Sequence, residues 1–170
     1  QADYNLMSQF LPLNLYGWSK HLFDKHVQFK LSKQRVIPPS WVGLKFFNVY
    51  GPNENHKKKQ SSVVLQIYES LLKSNSINLF RSHNTKYKDG HQLRDFIHVD
   101  DCVNVVMWLL NKKNLKGIFN VGTGKSRTFF DLATAVGLSM RKNYKINWIE
   151  TPQAIRTKYQ YFTEANIDKL

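Results

Sequence analysis

Apolar positions along the chain fall into stretches with helical spacing, separated by short runs that suit buried strands. Between residues 16 and about 33, Trp18, Leu22, Val27 and Leu31, with Phe23 and Phe29 nearby, predict a helix. Pro38 and Pro39 end it, and residues 41–47 read as a buried strand. Gly51-Pro52 turns the chain into a polar segment at 53–60, after which Val63, Val64, Ile67, Leu71 and Leu72 mark a second helix. A short strand at 77–80, a polar loop at 81–92 and a strand at 96–99 follow. Asp100 or Asp101 is expected to cap the helix carrying Val103, Val106, Met107, Leu109 and Leu110, since a carboxylate accepts from free first-turn amides. A strand at 118–121, a helix from 128 to about 141 and a strand at 144–149 complete the pattern. Residues 1–14 show no period and read as a loop. Strands alternating with helices predict an α/β fold.

Composition narrows the class. Of 170 residues, 42% are apolar, which is enough for a domain with a core, and eleven Phe, eight Tyr and four Trp supply large faces for it. The single cysteine, Cys102, lies in an apolar run, so it reads as a buried, reduced thiol and favours a cytoplasmic setting. No run suits a membrane span, and residues 1–10 have no basic start followed by an apolar stretch. Lys and Arg number 25 against 12 Asp and Glu, a formal charge of +13, which favours an anionic partner.

The most informative segment is Tyr16-Gly17-Trp18-Ser19-Lys20. Residues four apart share a helical face, so the Tyr16 hydroxyl and the Lys20 ammonium can enter one cleft. A phenol, ordinarily titrating near ~10, relays protons at neutral pH only where positive charge favours its phenolate. With the preceding Pro12-Leu13-Asn14-Leu15, this segment resembles the active-site stretch of nucleotide-sugar epimerases and dehydratases of the extended short-chain dehydrogenase class. Phe46-Phe47-Asn48-Val49-Tyr50-Gly51-Pro52 is similar to the strand-end motif of the same class. Residues 48–57, 79–82, 92–99, 117–124 and 159–163 bring the resemblance closer to the ADP-glycero-manno-heptose 6-epimerase family, over nearly the whole chain from about residue 12.

The resemblance implies the later part of a Rossmann-like parallel sheet plus a smaller α/β substrate-binding region. Residues 1–60 would be the remainder of the cofactor and catalytic domain, and 61–170 mainly the substrate-binding region with interleaved sheet elements. It implies a reaction at C6 of ADP-heptose by transient oxidation and reduction, with Tyr16 and Lys57 as the two proton carriers. Lys20, Val49 and Lys57 would bind the cofactor, for which NADP is expected ahead of NAD. Asn48, Lys59, Gln66, Phe80, Arg81, Ser82, His83, Arg94, His98 and Tyr159 would contact substrate, with the Arg94 guanidinium forking across the diphosphate. Two departures stand out. Lys58 occupies a place where the family usually has glycine, and His98 one where it has tyrosine.

The glycine-rich turn that receives a dinucleotide pyrophosphate does not occur in the sequence. The chain is therefore expected to be a fragment, inactive alone, of an enzyme that acts on an anionic nucleotide-sugar and could be a homo-oligomer. A UDP- or GDP-sugar enzyme, a remnant retaining affinity without turnover, and a basic nucleic-acid-binding module stay open as alternatives. The last has no zinc-finger, KH or RNA-recognition motif behind it. Gly122-Thr123-Gly124-Lys125-Ser126 imitates a phosphate loop, yet Phe119 stands where that loop needs its first glycine. His21, His26 and Cys102 lack the spacing of a metal site, and Arg127, Arg141 and Lys142 read as surface charge.

Overall fold

The computed structural model describes residues 11–33 and 37–170. Helix α1 (Leu15–Lys33) begins where the Asn14 side chain accepts from the Gly17 amide at 2.8 Å, satisfying one of the free first-turn donors. Strands β1 (Trp41–Phe46) and β2 (Asn48–Tyr50) follow, then a 3-10 turn (Asn55–Gln60) and helix α2 (Val63–Ser74). The chain continues through β3 (Ser76–Phe80), β4 (Leu93–His98), α3 (Val99–Leu110), β5 (Lys116–Val121) and β6 (Ser126–Thr128). It ends with α4 (Phe129–Ser139), β7 (Lys145–Ile149) and the single turn α5 (Gln153–Arg156).

The strands form parallel pairs β1–β5, β2–β4 and β3–β7, and β6 joins β4 antiparallel. Parallel pairing needs crossover connections, and the helices between these strands provide them. The result is the Rossmann-like α/β architecture with an additional smaller β/α region. Two apolar clusters fix it. Ile67 and Leu71 of α2, Ile77 and Leu79 of β3 and Ala133 of α4 form one, with Ile146 and Trp148 of β7 packed against it. Ile97, Cys102 and Val121 form the other, joined by Leu44, Val49 and Val105. Each fully buried Leu or Ile contributes roughly 1.5–3 kcal/mol relative to exposure. Burial pushes the Cys102 thiol above its ordinary pKa, reinforced by the nearby Asp101 carboxylate.

Several local expectations change. The cap of α3 is His98, whose Nδ1 accepts from the Asp100 amide at 3.3 Å. His98 is the last extended residue, which leaves Asp100 and Asp101 inside the first turn, where their charge still favours the helix N-terminus. Lys142 is more than surface charge, because its ammonium donates to the Leu71 carbonyl at 2.9 Å and so serves the C-terminal end of α2. Strands β2 and β6 were hidden by their length of three residues each. Helix α1 buries only His21, whereas Leu22, Phe23 and Phe29 are exposed.

Asp95 is fully buried on β4. One carboxylate oxygen accepts from the Thr123 amide at 2.8 Å and its hydroxyl at 2.7 Å, the other from the amides of Gly124 at 2.9 Å and Ala165 at 3.1 Å. Any side chain at Gly122 would collide with this arrangement, since a Cβ there lies 2.5 Å from Ala165 and 2.8 Å from Asp95 Oδ2. Replacing Asp95 with Ala strands these donors and should lower unfolding free energy by roughly 3–5 kcal/mol. Urea denaturation followed by tryptophan fluorescence reads this directly, and a loss below about 1 kcal/mol would show that the turn is held by something else.

Candidate functional site

The start of α1, the start of β4 and the segment from α5 onward converge on a cleft of about 500 Å³ lined by Asn14, Tyr16, Gly17, Arg94, Lys158 and Tyr159, among others. Tyr16 is largely exposed, and Lys20 one turn on places its ammonium 5.3 Å from the Tyr16 ring centroid. The predicted sharing of one helical face is therefore realised. Helix α1 is tied to β1 through an Asp24–Lys45 ion pair.

Arg94 enters from the opposite wall. Its guanidinium lies 5.5 Å from the Tyr159 ring and 5.7 Å from that of Phe129, with one NH donating to the Leu93 carbonyl at 2.7 Å. Among the described residues it forms no ion pair. Burial draws its pKa below the ordinary guanidinium value, although the nearby Tyr159 opposes that. Burial likewise raises the Tyr159 hydroxyl, with Tyr161 adding to the shift and Arg94 opposing it. The cleft thus offers an aromatic-framed cation with donors to spare, suited to a phosphate or diphosphate.

Residues 80–83 sit behind Tyr159. Phe80 meets its ring edge-on at 6.3 Å, and His83 lies between Tyr159 and Tyr161 at 5.9 and 5.1 Å. Arg81 is held by Asp89 at 3.1 Å and Glu150 at 3.7 Å, the Ser82 amide donates to Asp89 at 2.7 Å, and the His83 amide donates to the Tyr161 hydroxyl at 2.8 Å. Asn48, at the start of β2, donates through its amide to the Asp95 carbonyl at 3.0 Å. The side chain of Val49 packs into the second apolar cluster, and its backbone amide donates to the Phe47 carbonyl at 2.9 Å.

Lys57, Gln66 and His98 do not line this cleft. Lys57 lies on the 3-10 turn, 3.5 Å from the Glu54 carboxylate, and is absent from the cleft lining. Gln66 donates to the Ser61 carbonyl at 2.8 Å, and the side chain of Lys59 lies outside the described residues. His98 caps α3 and meets the Tyr50 ring edge-on at 5.3 Å. Among the described residues no group of three His, Cys, Asp or Glu could hold a metal, and no helix is long and apolar enough to cross a membrane.

Asp95, Tyr161 and Glu54 carry no motif that marks them in the sequence. Only the spatial return of the C-terminal segment reveals the first two. Asp95 also settles the imitation phosphate loop, because it occupies the amides of Thr123 and Gly124.

The pattern of the NAD dependent epimerase/dehydratase family matches residues 1–122. The chain belongs to that family. It is 48% identical over 164 residues to an ADP-L-glycero-D-manno-heptose-6-epimerase of Nitratidesulfovibrio vulgaris, covering 96% of this chain and 49% of that protein. The crystal structure of the Helicobacter pylori ADP-L-glycero-D-manno-heptose-6-epimerase superposes with a TM-score of 0.72 at 29% identity, over 93% of this chain and 43% of that one. The Thermus thermophilus UDP-glucose 4-epimerase in complex with NAD superposes with a TM-score of 0.72 at 25% identity, over 91% and 46%. The chain therefore spans about half the length of the relatives it matches. The cofactor-bearing neighbours carry NAD, which overturns the preference for NADP. The residues that read the 2′-phosphate of NADP follow a glycine-rich turn, so this sequence held no physical signal for that preference.

The 3-10 turn carries two measurable features. Lys58 has φ 50° and ψ −121°, a backbone region that favours glycine. Substituting Lys58 with Gly should raise stability by about 1 kcal/mol, read as an upward shift of the urea midpoint; an unchanged or lower midpoint would count against strain at this residue. Burial raises the Glu54 carboxyl, but hydrogen bonds from Ser62 and Gly51 and the charge of Lys57 outweigh it, leaving the pKa below its ordinary 4.5. A depressed folded pKa contributes stability that is present above 4.5 and lost as pH falls through the lower folded value. The stability difference between the native chain and Glu54→Gln should accordingly be larger at pH ~7 than below pH ~4; a pH-independent difference would refute this role.

Proposed function

We propose that the enzyme containing this chain interconverts ADP-D-glycero- and ADP-L-glycero-manno-heptose at C6. The observation that carries the reading is the meeting of Tyr16, Arg94 and Tyr159 on one cleft, with Lys20 on the Tyr16 face. Identity to proteins named for this reaction supports the substrate. Residues 1–60 act with the cofactor in this proposal, and 61–170 mainly hold the nucleotide-sugar.

Arg94 binds the diphosphate, and Tyr159 frames it. Asn48 orients the sugar end. Tyr16 accepts the proton of the C6 hydroxyl as that carbon is oxidised to a carbonyl, and Lys20 places positive charge beside the phenol throughout. Lys57 donates and accepts the proton for the opposite configuration, where one fixed group would be on the wrong side of the carbon. Gln66, Lys59, His98 and the 80–83 segment complete the substrate contacts. The donors of Lys20 fit the sugar hydroxyls of a nicotinamide dinucleotide, and Val49 lies among the cofactor contacts in this reading. Bound NAD supplies the acceptance and return of hydride, chemistry that no side chain performs.

Turnover is assigned to the whole enzyme, and ADP binding is also assigned to the 170-residue chain. Tyr16→Phe in the whole enzyme should depress ADP-heptose epimerisation at least about 100-fold while ADP affinity changes little. Near-native turnover would reject the role of Tyr16. Equal turnover of ADP-heptose and UDP-glucose would reject the substrate assignment.

A further inference from the structure

Strand β6 places Arg127 directly across the antiparallel ladder from Arg94. Opposed residues of such a pair project from the same face of the sheet with their β-carbons about 4.5–5.5 Å apart. Two like-charged side chains thus leave the sheet from adjacent positions, a pairing that is unfavourable unless an anion offsets it. Nearby acids do not serve. Asp131 accepts from the Thr128 amide at 3.1 Å in the capping box of α4, Glu164 accepts from the amide and hydroxyl of Ser126 at 2.8 Å, and Asp95 points to the buried face. Among the described residues Arg127 and Lys125 form no ion pair, and both are exposed.

Arg127 and Lys125 line a cavity of about 530 Å³ with Tyr50, Phe96 and the Asp131 carboxylate. That cavity and the Arg94 cleft are separate depressions that share no lining residue, and a row of side chains connects them. Tyr159, Arg94, Phe129 and Phe96 follow one another along the same face at 5.5, 5.7 and 5.7 Å. One face of the sheet therefore carries Arg94 toward the first cleft and Arg127 toward the second cavity, with Phe96 and Phe129 between those cavities.

We infer that Arg127, assisted by Lys125, forms a second cationic subsite that engages the second phosphate of a nucleoside diphosphate whose first phosphate Arg94 holds. The inference rests on the proposed nucleotide-sugar reading and deepens it. Arg127 is a specificity-determining residue that favours pyrophosphate over monophosphate ligands. A guanidinium at each phosphate satisfies four acceptor oxygens, whereas Arg94 alone can fork across two.

Calorimetric titration of the full 170-residue chain with ADP and with AMP tests it. The native chain should bind ADP more tightly than AMP. Arg127→Ala should weaken ADP about tenfold and AMP less than about twofold, collapsing the preference, while Arg127→Lys, which keeps the charge but loses the fork, should fall between. Lys116→Ala, a change of charge on the separate β1–β5 pair, should alter neither. Circular dichroism confirms that each variant is folded, and Arg127→Gln replaces Arg127→Ala if the latter is not. An unchanged ADP-to-AMP ratio in Arg127→Ala, with ADP lost in Arg94→Ala, overturns the second subsite and leaves the nucleotide-sugar reading standing. Absence of ADP binding by the native chain overturns both. Weakened binding of a single-stranded oligonucleotide by Arg127→Ala, with ADP unaffected, also overturns the inference and reassigns the residue to nucleic acid.

Discussion

The buried carboxylate of Asp95 is the interaction on which the ligand-facing side depends. It joins β4, the turn after β5 and the returning C-terminal segment through four donated hydrogen bonds. Each donor is a group that could not otherwise be buried without cost, so the three segments are held in one relative placement. Strand alternation then does the rest. With Asp95 facing inward, its neighbours Arg94 and Phe96 must face outward, where Arg94 lines the cleft and Phe96 the neighbouring cavity. The same return of chain that supplies the Ala165 amide carries Tyr159 to Arg94 and Tyr161 to His83.

Charge is distributed unevenly over this frame. Arg81 and Arg156 are matched by Asp89 and Glu150, and Lys142 is absorbed by the end of a helix. Arg94 is instead surrounded by rings and lowered in pKa by burial. A cation withdrawn from water without a carboxylate partner is costly, and an anionic ligand is the natural group to offset that cost. The formal charge of +13 is therefore less informative than the place where positive charge goes unmatched.

The two proposed proton carriers stand on different foundations from the phosphate ligand. Arg94 belongs to a strand paired on both sides, by β2 and β6. Tyr16 belongs to a helix with one buried residue, and Lys57 to a turn interrupted at Lys58. Elements with few buried contacts open more readily than core strands. The proposed phosphate ligand thus rests on rigid structure, while the groups proposed to move protons rest on segments with more freedom.

Much of the architecture was legible in sequence because hydrophobic period reports burial directly. The helix at Val63–Ser74 and the strand at Trp41–Phe46 emerge from spacing alone, and the Tyr16–Lys20 face follows from helical geometry. Strands of three residues are too short to show a period, which is why β2 and β6 escaped notice. With β6 unseen, Arg127 looked like isolated surface charge, since its position opposite Arg94 is a matter of strand register. His98 as a helix cap, Lys142 as a helix terminator and Asp95 as a junction also depend on partners distant in sequence or on the exact last extended residue. Sequence by itself determined the α/β class and the chemistry available to the chain, because both follow from local pattern and residue type. Only the tertiary structure decided which charges are matched, which amides are occupied and which side chains share one face, because those depend on where distant segments meet.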